Sequence, residues 1–299
     1  MTGRDPFAAF RARMDGLGFR PSSVLGQNFL LDPSLHRWLA AAAGAGQGDT
    51  LVEIGAGLGF LTRELAAVAG AVFAVEIDAR LLQLAQADLA GQANITWLHA
   101  DALGGRGRTL HPELAAAMAA ELRPGGRLLV VANLPYSVSG PLLAELAAAP
   151  RLPARCVLLV QKEMAQRVAA RCGSPDYGGL SAGLQALFEA RSLRDVPPQV
   201  FRPRPKVTSA VLELTARTDG PLVGASAGDR ASFLQFVRHV FMQRRKTLRT
   251  TLLPAVAAIG GRMPPLDAAA LAQRAEQVPP DTLVDWWRQA TAGPTDARA

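Results

Sequence analysis

Leu51-Val52-Glu53-Ile54-Gly55-Ala56-Gly57-Leu58-Gly59-Phe60-Leu61-Thr62-Arg63-Glu64-Leu65 is the stretch on which the fold turns. Residues 51–54 read as a buried strand, three glycines at alternate positions as a tight loop, and residues 60–65 as the opening of a helix. Glycine admits positive φ and lets a ligand approach the backbone. Strand, glycine loop and helix in that order suit a nucleotide-type ligand. The spacing is G-x-G-x-G, not the G-x-G-x-x-G of the dinucleotide fingerprint, so the loop needs support from its surroundings.

The support lies downstream. Ala71-Val72-Phe73-Ala74-Val75 reads as a second strand and ends at Glu76, about 20 residues past Gly55, where a carboxylate is placed to hold ribose hydroxyls. Asp78 caps the helix that follows. Asn94-Ile95-Thr96-Trp97-Leu98-His99 is a third strand, leading into Asp101-Ala102. Asp101 suits an exocyclic amine or an ordinary turn, and His99 suits a bond to the backbone. Arg127-Leu128-Leu129-Val130-Val131-Ala132 is a fourth strand, and Asn133-Leu134-Pro135-Tyr136 follows it.

In Asn133-Leu134-Pro135-Tyr136 the Asn133 side-chain oxygen and the Leu134 carbonyl are both acceptors for an NH2 group. Pro135 fixes its own φ and restricts Leu134. Tyr136 offers a ring on which a base can stack. The same four residues also suit a plain turn after a strand. What favours chemistry is the convergence of Glu53 and Gly55, Glu76, Asp101 and Asn133 at successive strand ends, where open α/β sheets bind ligands. Strands alternating with helices predict an α/β fold with a Rossmann-like, doubly wound parallel sheet. Cys156-Val157-Leu158-Leu159-Val160 adds a fifth strand, residues 192–196 and 209–214 add further strands, and residues 180–188 are expected to be helical.

Upstream, Gln27 and Asn28 precede Asp32-Pro33, a helix cap with proline at the first helical position, and suit capping or turn work on their own. Residues 1–20 read as a short amphipathic helix without an apolar signal core. Downstream, Phe201-Arg202-Pro203-Arg204-Pro205-Lys206 is stiff and basic with an aromatic among its charges, as single-stranded nucleic acid prefers. Residues 215–228 read as a linker, and beyond it the periodicity is helical. There Gln243-Arg244-Arg245-Lys246 is either a solvated face or a phosphate-binding cluster. The predicted division is a domain over 1–216 and a small all-α domain over 217–299.

The chain carries 32 Lys+Arg against 25 Asp+Glu, a net charge of +7 over 299 residues. With a pI near 10.3 it favours a polyanionic partner. Lysine occurs only at Lys162, Lys206 and Lys246, a bias that base composition explains without function. Two cysteines, Cys156 and Cys172, make neither a metal spacing nor a disulfide framework, and no metal is expected. No run of about 18 apolar residues predicts a membrane span; cytoplasm is the expected location.

As a set, Leu25-Gly26-Gln27-Asn28-Phe29-Leu30, Val52 to Gly59, Val75-Glu76-Ile77-Asp78, Asp101-Ala102, Asn133 to Tyr136, Gln161-Lys162-Glu163, Val196-Pro197-Pro198, Pro205-Lys206-Val207 and Gln243 to Lys246 resemble, in order, the ribosomal RNA adenine dimethyltransferases of the small subunit. Ala56 stands where that family usually has proline. The resemblance implies a class I methyltransferase fold and S-adenosylmethionine as methyl donor. It implies cofactor contacts at Gln27, Asn28, Leu30, Gly55, Gly57, Gly59, Glu76, Ile77, Asp101, Ala102 and Asn133, and chemistry at Asn133, Leu134, Pro135 and Tyr136. RNA contacts are expected at Phe201, Arg202, Arg204, Lys206, Arg244, Arg245 and Lys246, with Phe201 and Tyr136 sandwiching a flipped adenine. The implied partner of an expected monomer is 16S rRNA in the small subunit or its precursor. The implied product is N6,N6-dimethyladenosine at two adjacent adenines near the 3' end, a step in ribosome biogenesis. Two other readings stay open: a large-subunit RNA adenine methyltransferase of the antibiotic-resistance type, and an assembly factor that clamps RNA without turnover.

Overall fold

The structure is a computed structural model that describes residues 27–105 and 109–292; the expected helix over 1–20 lies outside them. Among the described residues nine strands carry the topology: β1 (Phe29–Leu30), β2 (Thr50–Ile54), β3 (Ala71–Glu76), β4 (Ile95–His99), β5 (Leu128–Asn133), β6 (Arg155–Gln161), β7 (Phe188–Val196), β8 (Phe201–Arg202) and β9 (Ser209–Ala216). Seven form one sheet in the order β4-β3-β2-β5-β6-β9-β7, and β1 pairs with β8 in a two-stranded ribbon. The β2–β3, β3–β4, β2–β5 and β5–β6 pairs are parallel. The chain starts the sheet at β2, winds out to β4, then returns to lay β5 on the other side of β2. That reversal is the switch point at which open α/β sheets leave a crevice.

The central strands read as continuous apolar runs because both their faces are covered. Leu128, Leu129, Val130, Val131 and Ala132 of β5, and Cys156 to Val160 of β6, are almost wholly buried. By contrast β7 carries Glu189, Arg191, Arg194 and Asp195 and is largely exposed, as suits a sheet edge guarded by charge. The starts of β2 and β5 are tied by Asp49. Its Oδ1 accepts the Arg127 backbone N–H at 2.8 Å and its Oδ2 meets the guanidinium at 2.7 Å. That guanidinium, beside two backbone donors, holds the Asp49 carboxyl down at about 2 against the cost of burial.

Helices α1 (Pro33–Ala43), α2 (Phe60–Val68), α3 (Ala79–Asp88), α4 (Pro112–Ala119) and α5 (Ser139–Ala148) alternate with the first strands. Asp32 caps α1, accepting from Ser34 N and Leu35 N with Pro33 at the first helical position. After β6 come α6 (Lys162–Val168) and α7 (Gly179–Gln185). Here an expectation fails: residues 180–188 are not one helix. The helix ends at Gln185, and Phe188, fully buried, already opens β7. A strand buried at one end and charged along its exposed length carries no clean period of two, so only its last residues look like a strand in sequence.

Beyond Ala216 the described residues form α8 (Ala227–Val240), α9 (Leu248–Ala258), the short α10 (Ala268–Ala272), a 3-10 turn (Ala275–Gln277) and α11 (Pro280–Thr291). Phe233, Phe236, Val237 and Val240 form the buried face of α8. By contact density the chain divides into two interleaved compact units. One holds the described residues up to Leu142 with Pro153–Lys162 and Ser192–Glu213. The other adds Leu143–Leu152 and Glu163–Arg191 to the described residues from Leu214 onward.

Candidate active site

The polar groups at the strand ends of the first unit are fixed largely by backbone. Gly55, Gly57 and Gly59 have φ of 81°, 57° and 76°, the left-handed region where a side chain is strained, so the loop can only be built from glycine. With the chain so turned, the Gly57 N–H donates to Glu76 Oε2 at 2.7 Å, and the Asp78 N–H donates to Glu76 Oε1 at 2.8 Å. Glu76 is buried, and burial is the main reason its carboxyl is raised; the two N–H donors oppose that shift. Each carboxylate oxygen keeps a second lone pair for a hydroxyl.

Asn133 ends β5. Its Nδ2 donates to the Asn28 carbonyl at 3.0 Å, which leaves Oδ1 as the acceptor. Asn28 in turn sits beside β1, which is held by the antiparallel pairs Phe29↔Arg202 and Leu30↔Phe201 and by the bond from Leu31 N to the Val200 carbonyl at 3.0 Å. Leu134 N donates to the Leu159 carbonyl at 3.1 Å, so its peptide is anchored to β6.

Three adjoining cavities use these groups. One, of about 90 Å³, is lined by Gln27, Asn28, Glu76, Asn133, Leu134 and Tyr136, with Gly55, Gly57 and Pro135 also on its wall. The second, about 350 Å³, has apolar walls from Val75, Ile77 and Leu103, with Asp101 and Ala102 at the edge. Asp101 Oδ1 accepts the Leu103 N–H at 2.9 Å. His99 contacts the Ile77 carbonyl at 3.1 Å, the backbone role expected of it. A third, about 50 Å³, is bounded by Leu30, His36, Glu53 and Asn133.

Glu53, grouped with Gly55 among the strand-end groups in the sequence, is enclosed in a way the sequence does not show. It is 1 % exposed and its Oε2 makes no hydrogen bond. Burial pushes its carboxyl up to about 8, the Thr62 side chain opposing and the Glu76 charge adding. His36 is buried beside the same small cavity and driven down to about 4, chiefly by burial. An alternation count cannot flag such a group, because a polar residue inside a four-residue strand looks like a solvent-facing position.

The predicted RNA residues divide. Arg204 and Lys206 are exposed. Arg202 is half-buried and donates to the Gln199 and Phe201 carbonyls. Phe201 is fully buried among core side chains that include Leu30, Leu35 and Val211. The expected stacking role for Phe201 is therefore corrected: its ring is spent on the core, anchoring the ribbon that carries Asn28. In the second unit Arg245 and Lys246 are exposed. Arg244, in contrast, donates from Nε to Glu276 at 2.8 Å and also bonds the Pro175 carbonyl. Residues 241–246 are a turn between α8 and α9, not a helix face.

Comparison with known proteins settles the family. The sequence model for ribosomal RNA adenine dimethylase matches residues 18–258. The chain belongs to the ribosomal RNA adenine dimethylase family. It is 44 % identical over 239 residues to the ribosomal RNA small subunit methyltransferase A of Moorella thermoacetica, covering 79 % of this chain and 80 % of that protein. It is 42 % identical over 238 residues to the protein of the same name from Geobacillus thermodenitrificans, covering 79 % and 77 %. Among solved structures, the fold matches a dimethyladenosine transferase from Plasmodium falciparum at TM-score 0.66 and 22 % identity, over 85 % of this chain and 94 % of that one. It also matches the 23S rRNA methyltransferase ErmE at TM-score 0.61 and 24 % identity, over 88 % and 100 %. The chain is a methyltransferase with the class I fold, and its family acts on ribosomal RNA.

Proposed function

We propose that the rim of β2, β3 and β5 transfers methyl groups from S-adenosylmethionine to N6 of adenines in 16S rRNA of the small subunit or its precursor, forming N6,N6-dimethyladenosine at two adjacent adenines near the 3' end during ribosome biogenesis. The observation that carries this is the Asn133 amide, its Nδ2 engaged by the Asn28 carbonyl, on the wall of the same cavity that Tyr136 lines. The relatives named for the small subunit at 42–44 % identity favour that substrate over the large-subunit alternative.

The residues present fit the methyl donor. Gly55 and Gly57 leave a cradle that side chains would close, with a Cβ on Gly55 coming 3.7 Å from the Asn133 carbonyl. Glu76 would hold the ribose hydroxyls, Ile77 and the apolar cavity would take the adenine ring, and Asp101 with Ala102 would receive the exocyclic amine. Gln27 and Asn28 line the same cavity as Glu76, Leu30 lines the smaller one beside Glu53, and Gly59 caps the start of α2.

When bound, S-adenosylmethionine supplies an electrophilic methyl group whose leaving thioether is neutral. The protein's share is placement. Asn133 Oδ1 and the Leu134 carbonyl accept the two N6 hydrogens, drawing the amine out of conjugation and aiming its lone pair at the donor. Tyr136 stacks on the base, and Pro135 fixes the direction of the Leu134 carbonyl. Such orientation is worth several kcal/mol of barrier. Once the nitrogen is alkylated its proton is acidic, so no strong base is required. The target must leave its stack to enter. Arg202, Arg204, Lys206, Arg245 and Lys246 supply phosphate contacts in this scheme, from the domains proposed at 1–216 and 217–299. A cytoplasmic monomer is part of the same proposal; no helix among the described residues is long and apolar enough to cross a membrane.

The test is methyl transfer from labelled donor to purified 30S and 50S particles, with nucleoside analysis of each. Dimethyladenosine in 30S RNA alone is the expected result. Label in 50S RNA alone would establish the large-subunit alternative, and tight 30S binding without label would establish the clamp.

A further inference from the structure

Tyr136 and Ser209 meet from separate stretches of the first unit's chain. Their hydroxyls lie 2.7 Å apart. Ser209 opens β9 and is fully buried, and the preceding carbonyl, Thr208 O, accepts the Lys162 N–H at 3.0 Å. Its neighbours Ala210 and Val211 are fully buried as well. The serine oxygen is thus held on a rigid strand. In the main chain, the Tyr136 carbonyl accepts from Ser139 Oγ at 3.0 Å, and the preceding residue is a proline. The phenol oxygen and the residue's backbone are thus both tethered, although the residue is only half-buried. Burial raises the phenol, with the Ser209 bond opposing, so at neutral pH the ring is an uncharged face rather than a base.

We propose that Ser209 is a positioning residue for methyl transfer: its hydroxyl clamps the Tyr136 ring at the angle that presents a stacked adenine's N6 to Asn133 and Leu134. The inference rests on the proposed stacking role of Tyr136. The clamp matters unequally for the two transfers. An unmethylated amine has two N–H groups and tolerates a small tilt, because one or the other still finds an acceptor. After the first transfer a single N–H remains, and a tilted base misses its acceptor. Loosening the ring therefore slows the second transfer more than the first.

The experiment compares the parent protein, Ser209→Ala, Tyr136→Phe and the double variant on 30S particles. Each single variant is expected to lower kcat about two- to tenfold, the scale of one hydrogen bond. Each should raise the fraction of N6-monomethyladenosine at partial conversion and leave calorimetric affinity for S-adenosylmethionine within about twofold. The double variant should be no worse than either single one, because both changes remove the same bond. Only two tyrosines, Tyr136 and Tyr177, occur in the chain, so ring-labelled tyrosine gives an NMR readout independent of turnover. The Tyr136 ring, identified by its loss in Tyr136→Phe, should become more mobile in Ser209→Ala. Additive losses in the double variant, an unchanged monomethyl fraction, or an unchanged ring signal would overturn the clamp. A parent protein that makes no dimethyladenosine would instead overturn the function on which it rests.

Discussion

At the ends of β2, β3 and β5 nearly every candidate group is positioned by main chain: Glu76 by the Gly57 and Asp78 N–H groups, Asn133 by the Asn28 carbonyl, Leu134 by the Leu159 carbonyl. In the basic turn of the second unit the candidates are long side chains on an irregular backbone. One of the three, Arg244, is already bound to Glu276 and Pro175, while Arg245 and Lys246 extend into solvent. The first arrangement is rigid before a ligand arrives and suits orientation of reacting atoms. The second is adaptable and screened by salt, and suits a polyanion whose contacts are read as charge. The segment 201–206 combines both: Phe201 belongs to the rigid class and Arg204 and Lys206 to the adaptable one.

Phe201 offers the sharpest way to break that division. Phe201→Ala is expected to cost about 3–5 kcal/mol of stability, the scale for emptying a packed aromatic site, whereas Arg204→Ala should stay within about 0.5 kcal/mol. Chemical denaturation of both variants checks this; an undiminished Phe201→Ala midpoint would return the ring to the surface.

Glu53 tests the rigid class by pH. Its folded carboxyl, near 8, lies above the unfolded value, so the folded state holds a proton that the unfolded state has lost. The stability it contributes is complete below about 4.5 and is lost as pH rises toward 8. Glu53→Gln should remove that decline and, above pH 8, leave the variant more stable by a few kcal/mol. Parallel slopes for the two proteins would show that the carboxyl is ionised throughout.

Glu76→Ala should weaken S-adenosylmethionine binding by about 1–3 kcal/mol, the cost of unpaired hydroxyls, and calorimetry reads it directly. Smallest of all are the exposed cations. Arg245→Ala and Lys246→Ala should each lower the salt slope of log K for RNA by about 0.7–0.9, while Arg244→Ala should act through stability, by no more than about 1 kcal/mol for a half-exposed ion pair. Equal slope changes for all three would erase the distinction.

The order of strands β2 to β6 and the rim residues Gly55, Glu76, Asp101 and Asn133 were legible because register and positive φ tie backbone geometry to residue type at short range. The β1–β8 ribbon was not, since its partners are some 170 positions apart on the chain and each strand is two residues long. Phe201 misled because aromatics among arginines look alike whether they face RNA or a core. Arg244 misled because its partners, Glu276 and Pro175, are distant in sequence. Ser209 carried no local signal; only the fold brings it to Tyr136.

The central claim is that Asn133 accepts the amine of the adenine being methylated. The direct measurement is mass spectrometry of nucleosides from 30S RNA after exhaustive reaction with the parent protein and with Asn133→Ala, the variant first shown to be folded and to bind RNA. N6,N6-dimethyladenosine is expected as the main product of the parent, with a loss of about 100-fold or more in the variant's rate, the scale set by removing one preorganised hydrogen-bonding group. Dimethyladenosine formed by the variant at the parent's rate would contradict the claim.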